Sequence, residues 1–215
     1  MEFCQTHTMP QKFTNYTWQS NPFVKRKQKE ILLHQKGRVI WMTGLSGSGK
    51  TTLAIDIEKE LLKRGFLTQV FDSDIIRATI NRDLDYTLEG RLQNIHRVAH
   101  LSRIFLEAGF VVISCFISPT HHIRHLARKI IGPQDYIEVY VNAPLSLCEE
   151  RDPKGLYKQA RQNKILHFTG IDSPYEPPHK PDIELNTEHF SKKKLVDTFI
   201  EFILPRIISQ NSLNL

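Results

Sequence analysis

Arg38-Val39-Ile40-Trp41-Met42-Thr43-Gly44-Leu45-Ser46-Gly47-Ser48-Gly49-Lys50-Thr51-Thr52-Leu53-Ala54 is the stretch on which the reading of this chain turns. After Arg38 it runs through apolar and β-branched residues and stops at Gly44, the composition of a short buried strand. From Lys50 onward Leu53, Ala54, Ile57, Leu61 and Leu62 recur at helical spacing, and Gly65 behind Lys63 and Arg64 is the stop signal. Between strand and helix, residues 44–51 satisfy G-x-x-x-x-G-K-[ST]. Glycines at 44, 47 and 49 let the backbone fold tightly enough for successive N–H groups to converge on one anion, and the helix start adds the positive end of its dipole. A plain glycine turn is the competing reading, and the flanking strand and helix weigh against it. The phosphate cradle therefore comprises Gly44, Leu45, Ser46, Gly47, Ser48, Gly49, Lys50, Thr51 and Thr52. Lys50 is expected to reach the β- and γ-phosphates of ATP, and the Thr51 hydroxyl to ligate a Mg²⁺ ion bridging them.

The same alternation of strand and helix continues outward. Strands are expected over 67–71, 110–116, 136–141 and 182–185, and helices over 88–108, 122–131, 144–150 and 192–204. The last helix gathers Leu195, Val196, Phe199 and Ile203 on one face, and 25–33 is a charged, helix-prone stretch before the first strand. This order predicts an α/β, three-layer P-loop NTPase fold: a mainly parallel sheet, helices on both faces, and a mobile lid. With 215 residues, 40% of them hydrophobic, one core is the expectation: a flexible tail over 1–14 and a single domain over 15–215, its lid at about 151–178.

Charge excludes more than it selects. The 29 basic and 23 acidic residues leave a net +6 that is spread along the chain, which suits small anionic ligands and does not call for nucleic acid. The first eleven residues lack the apolar centre of a secretory signal. The longest apolar run, 110–117, is interrupted by Ser114 and falls far short of the ~20 residues a membrane-spanning helix needs. A cytoplasmic protein without a membrane partner is expected. Cys4, Cys115 and Cys148 show no C-x-x-C spacing, so free thiols are expected, the latter two packed.

Two carboxylates, Asp72 and Asp74, close the second strand at the edge where open parallel sheets hold ligands. One can orient the metal and the other an acceptor hydroxyl; an Asx turn capping 75–80 is the competing reading. Asn81-Arg82-Asp83 lacks the lysine of the base-reading N-K-x-D element, which argues against a GTPase. Arg77, Asn81, Arg82, Tyr86, Arg91 and Asn94 combine fixed charge, amides and one aromatic face, an inventory suited to an anionic nucleotide acceptor or, more plainly, to a solvated helix face. Lys154, Lys158 and Arg161 stand at i, i+4 and i+7, so a helix through them would carry one cationic edge. Asp152-Pro153 and Gly155 before it, and Gly170, Pro174, Pro177, Pro178 and Pro181 after it, suit a hinged lid.

At this point the chain closely resembles the adenylylsulfate kinases. The resemblance runs from about Asn15 to near the end, and its most specific strings are GLSGSGKTTLA at 44–54, NRDL at 81–84, FISP at 116–119, RDPKGLYKQAR at 151–161 and FTGIDSPYEPP at 168–178. It implies transfer of the ATP γ-phosphate to the 3′-hydroxyl of adenosine 5′-phosphosulfate (APS), giving 3′-phosphoadenylylsulfate (PAPS) and ADP in sulfate assimilation. By the resemblance Asp74 faces the 3′-hydroxyl, Arg77, Arg91 and Asn94 hold APS, and Tyr86 and Phe168 sandwich its adenine. Ile117 and Ser118 become substrate contacts, Lys154 approaches the developing charge, and Arg151 joins the ATP set. Ser118 is described in such enzymes as a phosphoserine intermediate; direct in-line transfer is the simpler expectation. A homodimer and a sulfurylase partner are also implied. Five positions depart from the family pattern: Ser73 and Ile75 in place of the glycine and asparagine of Asp-Gly-Asp-Asn, Tyr86 for phenylalanine, and His96 and His121 where arginine is common, the last three altering ring polarity or charge. A P-loop kinase of another nucleoside or nucleotide, and a non-catalytic ATP-binding regulator, remain the alternatives.

Overall fold

In the computed structural model, which describes residues 23–209, the stretch quoted above becomes the centre of the molecule. The tail over 1–14, the onset of order near Tyr16 and the state of Cys4 lie outside the described residues. Strand β1 (Arg38–Thr43) is buried from Val39 to Thr43 and pairs in parallel with β3 (Val111–Cys115) on one side and β4 (Tyr136–Asn142) on the other. With β2 (Thr68–Asp72) and β5 (Ile183–Asn186) outside them, the five strands run in the order β2-β3-β1-β4-β5, all parallel. A strand covered on both faces has no solvent side to mark with polar residues, which is why β1 and β3 read as apolar runs without alternation, Ser114 alone interrupting β3. The chain's path reverses direction across the sheet at β1, so a crevice opens beyond its C-terminal end.

One face of β1 points Ile40 and Met42 into a core with Leu53, Ile57 and Leu61 of α2 (Lys50–Lys63) and Phe199 and Ile203 of α8 (Lys192–Ile207). The other points Val39 and Trp41 toward Val98 and Leu106 of α4 (Leu88–Glu107) and Ile123 and Ile131 of α5 (His121–Ile131). The three layers expected from the sequence are present. At the edge opposite the crevice, Arg26 of α1 (Arg26–Leu32) makes two hydrogen bonds of 2.7 and 3.0 Å with Asp135, which also accepts from Arg38 at 3.1 Å, fastening α1 beneath the sheet. Cys115 and Cys148 are buried free thiols, and no helix among the described residues is long and apolar enough to cross a membrane.

Three boundaries differ from the sequence reading for identifiable reasons. Helix α3 spans Ser73–Ala78 instead of 75–80, because Asp72 Oδ1 accepts from Asp74 N at 2.9 Å and caps it two residues early. Helix α8 runs through Pro205 to Ile207: the fully buried Ile203 and Ile207 outweigh the hydrogen bond that proline cannot donate. The cationic edge expected from Lys154, Lys158 and Arg161 does not form. After α6 (Leu145–Arg151), Gly155 takes φ 65° and caps α7 (Leu156–Arg161), so Lys154 precedes the helix, while Arg161 turns to Glu149 at 2.6 Å.

Candidate functional site

The glycine bend between β1 and α2 owes its shape to backbone conformations closed to other residues. Gly44 has φ 152°, and a Cβ there would lie 2.4 Å from the carbonyl oxygen of Val141; Gly49 caps α2 at φ 103°. Lys50 is only 8% exposed, and its Nζ curls back to donate to the carbonyls of Gly44 at 2.9 Å and Leu45 at 2.7 Å. Burial pushes its ammonium down to about 8. Thr51 Oγ1 donates to Asp72 Oδ2 at 2.7 Å, so the first turn of α2 meets the end of β2. A hydroxyl beside a carboxylate, open to phosphate oxygens and water, is a donor set that suits Mg²⁺, which keeps much of its hydration. Among the described residues no group of three or more His, Cys, Asp and Glu side chains is gathered for a metal.

Behind the bend, contacts from distant segments fix its carbonyls. Arg151 Nη1 and Nη2 donate to Thr187 Oγ1 at 3.0 Å and to its carbonyl at 2.9 Å, and Thr187 Oγ1 donates to Ser48 O at 3.0 Å. Tyr157 donates its hydroxyl to Ser46 O at 2.8 Å. Thr187 and Phe190, just past β5, line the crevice and were missed in the sequence. No motif marks them; their place after the C-terminal end of a parallel strand was the available signal.

A single cavity of about 800 Å³ joins this cradle to a second cluster. Ser46, Gly47, Gly49, Lys50, Thr51, Thr52 and Arg151 line it at one end, and Asp74, Arg77, Tyr86, Arg91, Asn94, Ile117, Ser118, Lys154 and Phe168 at the other. Gly44, Leu45 and Ser48 lie outside its wall and act through backbone. Asp74, well exposed, forms an ion pair with Lys154, which reaches over from the turn between α6 and α7. The Arg77 guanidinium sits 4.3 Å over the Tyr86 ring and donates to Asp85 O at 3.0 Å. Arg91 donates to Tyr86 O at 2.9 Å, Thr169 Oγ1 at 2.9 Å and His167 O at 2.6 Å, pinning the segment around 167–169 to α4. Phe168 is buried edge-on against Tyr157, with ring centroids 5.0 Å apart. Asn94 Oδ1 accepts from buried Asn81 at 2.9 Å, so Asn81 stands behind the wall, and Arg82 is exposed away from it. Ser118 is 2% exposed with φ 45°, and its hydroxyl oxygen accepts from Trp41 Nε1 at 3.0 Å. Of the departures from the family pattern, Ser73 and Tyr86 line the cavity; Ile75, His96 and His121 do not.

Comparison with known proteins bears on this arrangement directly. The family model described as Adenylylsulphate kinase matches residues 36–186. An adenylyl-sulfate kinase of Clostridium acetobutylicum is 47% identical over 192 residues, which are 89% of this chain and 95% of that protein. Adenylyl-sulfate kinase 3 of Arabidopsis thaliana is 48% identical over 172 residues, 80% of this chain and 82% of its own length. The solved structure of the Mycobacterium tuberculosis APS kinase CysC in complex with AMPPNP and APS superposes with a TM-score of 0.75 at 40% identity, over 78% of this chain and 98% of that one. Shared length, shared identity and shared backbone all lead to one place, and the chain belongs to the adenylylsulphate kinase family.

Proposed function

We propose that this chain is an adenylyl-sulfate kinase, passing the γ-phosphate of ATP to the 3′-hydroxyl of APS and releasing PAPS and ADP. The observation that carries the reading is the continuity of one cavity, with a phosphate cradle at one end and a carboxylate, two arginines and two aromatic rings at the other. Phosphoryl transfer needs alignment and charge neutralisation more than covalent help. ATP binds first, its phosphates on the N–H groups of the glycine bend, and Lys50 leaves the Gly44 and Leu45 carbonyls for the β- and γ-oxygens. APS then docks with its anionic end on Arg77 and Arg91 and its adenine between Tyr86 and Phe168, Asn94 completing the wall. Asp74 orients the 3′-hydroxyl, while Lys154, exchanged from Asp74, faces the transferring group. Closure of the lid over 151–178 excludes water, which would otherwise compete as acceptor. Thr51 and Asp72 would hold Mg²⁺, which would supply positive charge to neutralise the phosphates. A cytoplasmic homodimer, and a sulfurylase as the partner that supplies APS, complete the reading by resemblance to the family.

The test is a coupled ADP-release assay with ATP and Mg²⁺, with and without APS. ADP release that depends on APS, at rates well above those with AMP or adenosine, is the expected result. Preference for AMP or adenosine would point to another nucleotide kinase, and ATP binding without APS-dependent release to a regulator. For Ser118, whose oxygen already accepts from Trp41, direct transfer predicts that Ser118→Ala keeps turnover within about threefold, far short of the ~10²-fold loss expected on removing a group essential to the chemistry. Recovery of label on Ser118 from γ-labelled ATP, with a matching collapse in rate, would establish the covalent route instead.

A further inference from the structure

Arg124 of α5 touches none of the proposed reacting groups, yet its guanidinium is 3% exposed and fully engaged. Nη1 donates to the carbonyl of Ser118 at 2.8 Å, and Nη2 donates to the carbonyl of Glu176 at 2.7 Å and to His121 Nδ1 at 3.0 Å. Nε faces Glu138 Oε1 of β4 at 3.2 Å, which balances the charge. The two carbonyls belong to segments with different tasks. Ser118 lies in the turn that walls the acceptor end of the cavity, and Glu176 lies in the chain returning from the lid. The same segments are laced together twice more, by Glu176 N donating to Pro119 O at 2.8 Å and by His121 N donating to Glu176 Oε2 at 2.7 Å.

The Ser118 backbone has φ 45°, a conformation that L residues adopt rarely and that neighbours must hold in place. Three side chains do so: Trp41 on its hydroxyl, Thr43 on the Ile117 carbonyl at 2.6 Å, and Arg124 on its own carbonyl. Thr43 also reaches the returning chain, its hydroxyl 3.0 Å from that of Tyr175, but of the three side chains Arg124 alone holds a backbone carbonyl in each segment. A rigid planar fork fixes two carbonyls at a set separation with less freedom than an ammonium on a flexible stem. The cradle for ATP is braced separately, by Arg151, Tyr157 and Thr187.

We propose that Arg124 is a positioning residue that holds the Ile117–Ser118 wall of the acceptor pocket in register with the base of the lid. The inference rests on the reading of that pocket as the APS site, and its effect falls on the acceptor and not on ATP. Arg124→Lys keeps a cation opposite Glu138 but loses the planar fork that spans the two carbonyls. Steady-state kinetics should show KM for APS raised about tenfold in this variant, KM for ATP within twofold of wild type, and a nearly unchanged melting temperature. Arg124→Met should raise KM for APS further; if it fails to fold, Arg124→Lys alone decides. A folded Arg124→Lys with KM for APS within twofold of wild type would overturn the proposal. So would a parallel rise in both KM values, which marks general loosening. Wild-type protein that releases no ADP in response to APS would remove the acceptor reading itself, a failure seen before any variant is made.

Discussion

Replacement of Lys50 by alanine is expected to lower turnover by about 10²-fold or more, the scale of losing one preorganised charge from a water-excluded site. Lys50 is already desolvated, held against the Gly44 and Leu45 carbonyls, and exchanges those two hydrogen bonds for the β- and γ-oxygens when ATP binds. Because burial lowers its pKa to about 8, the cation is the dominant form below that pH and is lost as pH rises through it. kcat/KM for ATP, which reports the free enzyme, should therefore decline above about pH 8. A pH–rate profile checks this, and Lys50→Arg, permanently charged, should lack the alkaline decline. Near-normal turnover in a correctly folded Lys50→Ala would refute the role.

The second large effect is expected at Asp74. Asp74→Asn keeps size and polarity but removes both the proton-accepting oxygen and the charge that pairs with Lys154. A group that orients and relieves a reacting hydroxyl contributes about 10²–10⁴ in rate, so kcat should fall by at least 10²-fold. Since the proposed function puts Asp74 with the acceptor and the ATP phosphates on the glycine bend, KM for ATP should change little. If Asp74 served only to latch the lid through Lys154, the Asn variant would keep kcat within a few-fold, and initial rates at saturating substrates separate the two.

Why some of this was legible in the sequence and some was not follows from how far apart the partners lie. The strand, bend and helix over 38–63 are local and carry their own signals, and the remaining strands fell within a residue or two because buried parallel strands are short apolar runs between stops. Asp72 illustrates the limit. Its carboxylate was visible at the end of a strand, but only folding brings it to Thr51, and only its side-chain geometry starts α3 at Ser73. Lys154 shows how spacing misleads: the i, i+4, i+7 pattern fits a helix, but Gly155 in a left-handed conformation begins the helix after it. The hold of Trp41 on Ser118 spans 77 residues and that of Thr187 on Ser48 spans 139, and no pattern in the chain announces either.

That longest span bears on how the protein comes into being. The bend over 44–51 is made well before its outer brace, Thr187, which follows β5 and lies 139 residues beyond Ser48. A growing chain that ends before that strand has the glycines but not the clamp. Firm retention of nucleotide is therefore expected only once β5 and Thr187 have joined the sheet.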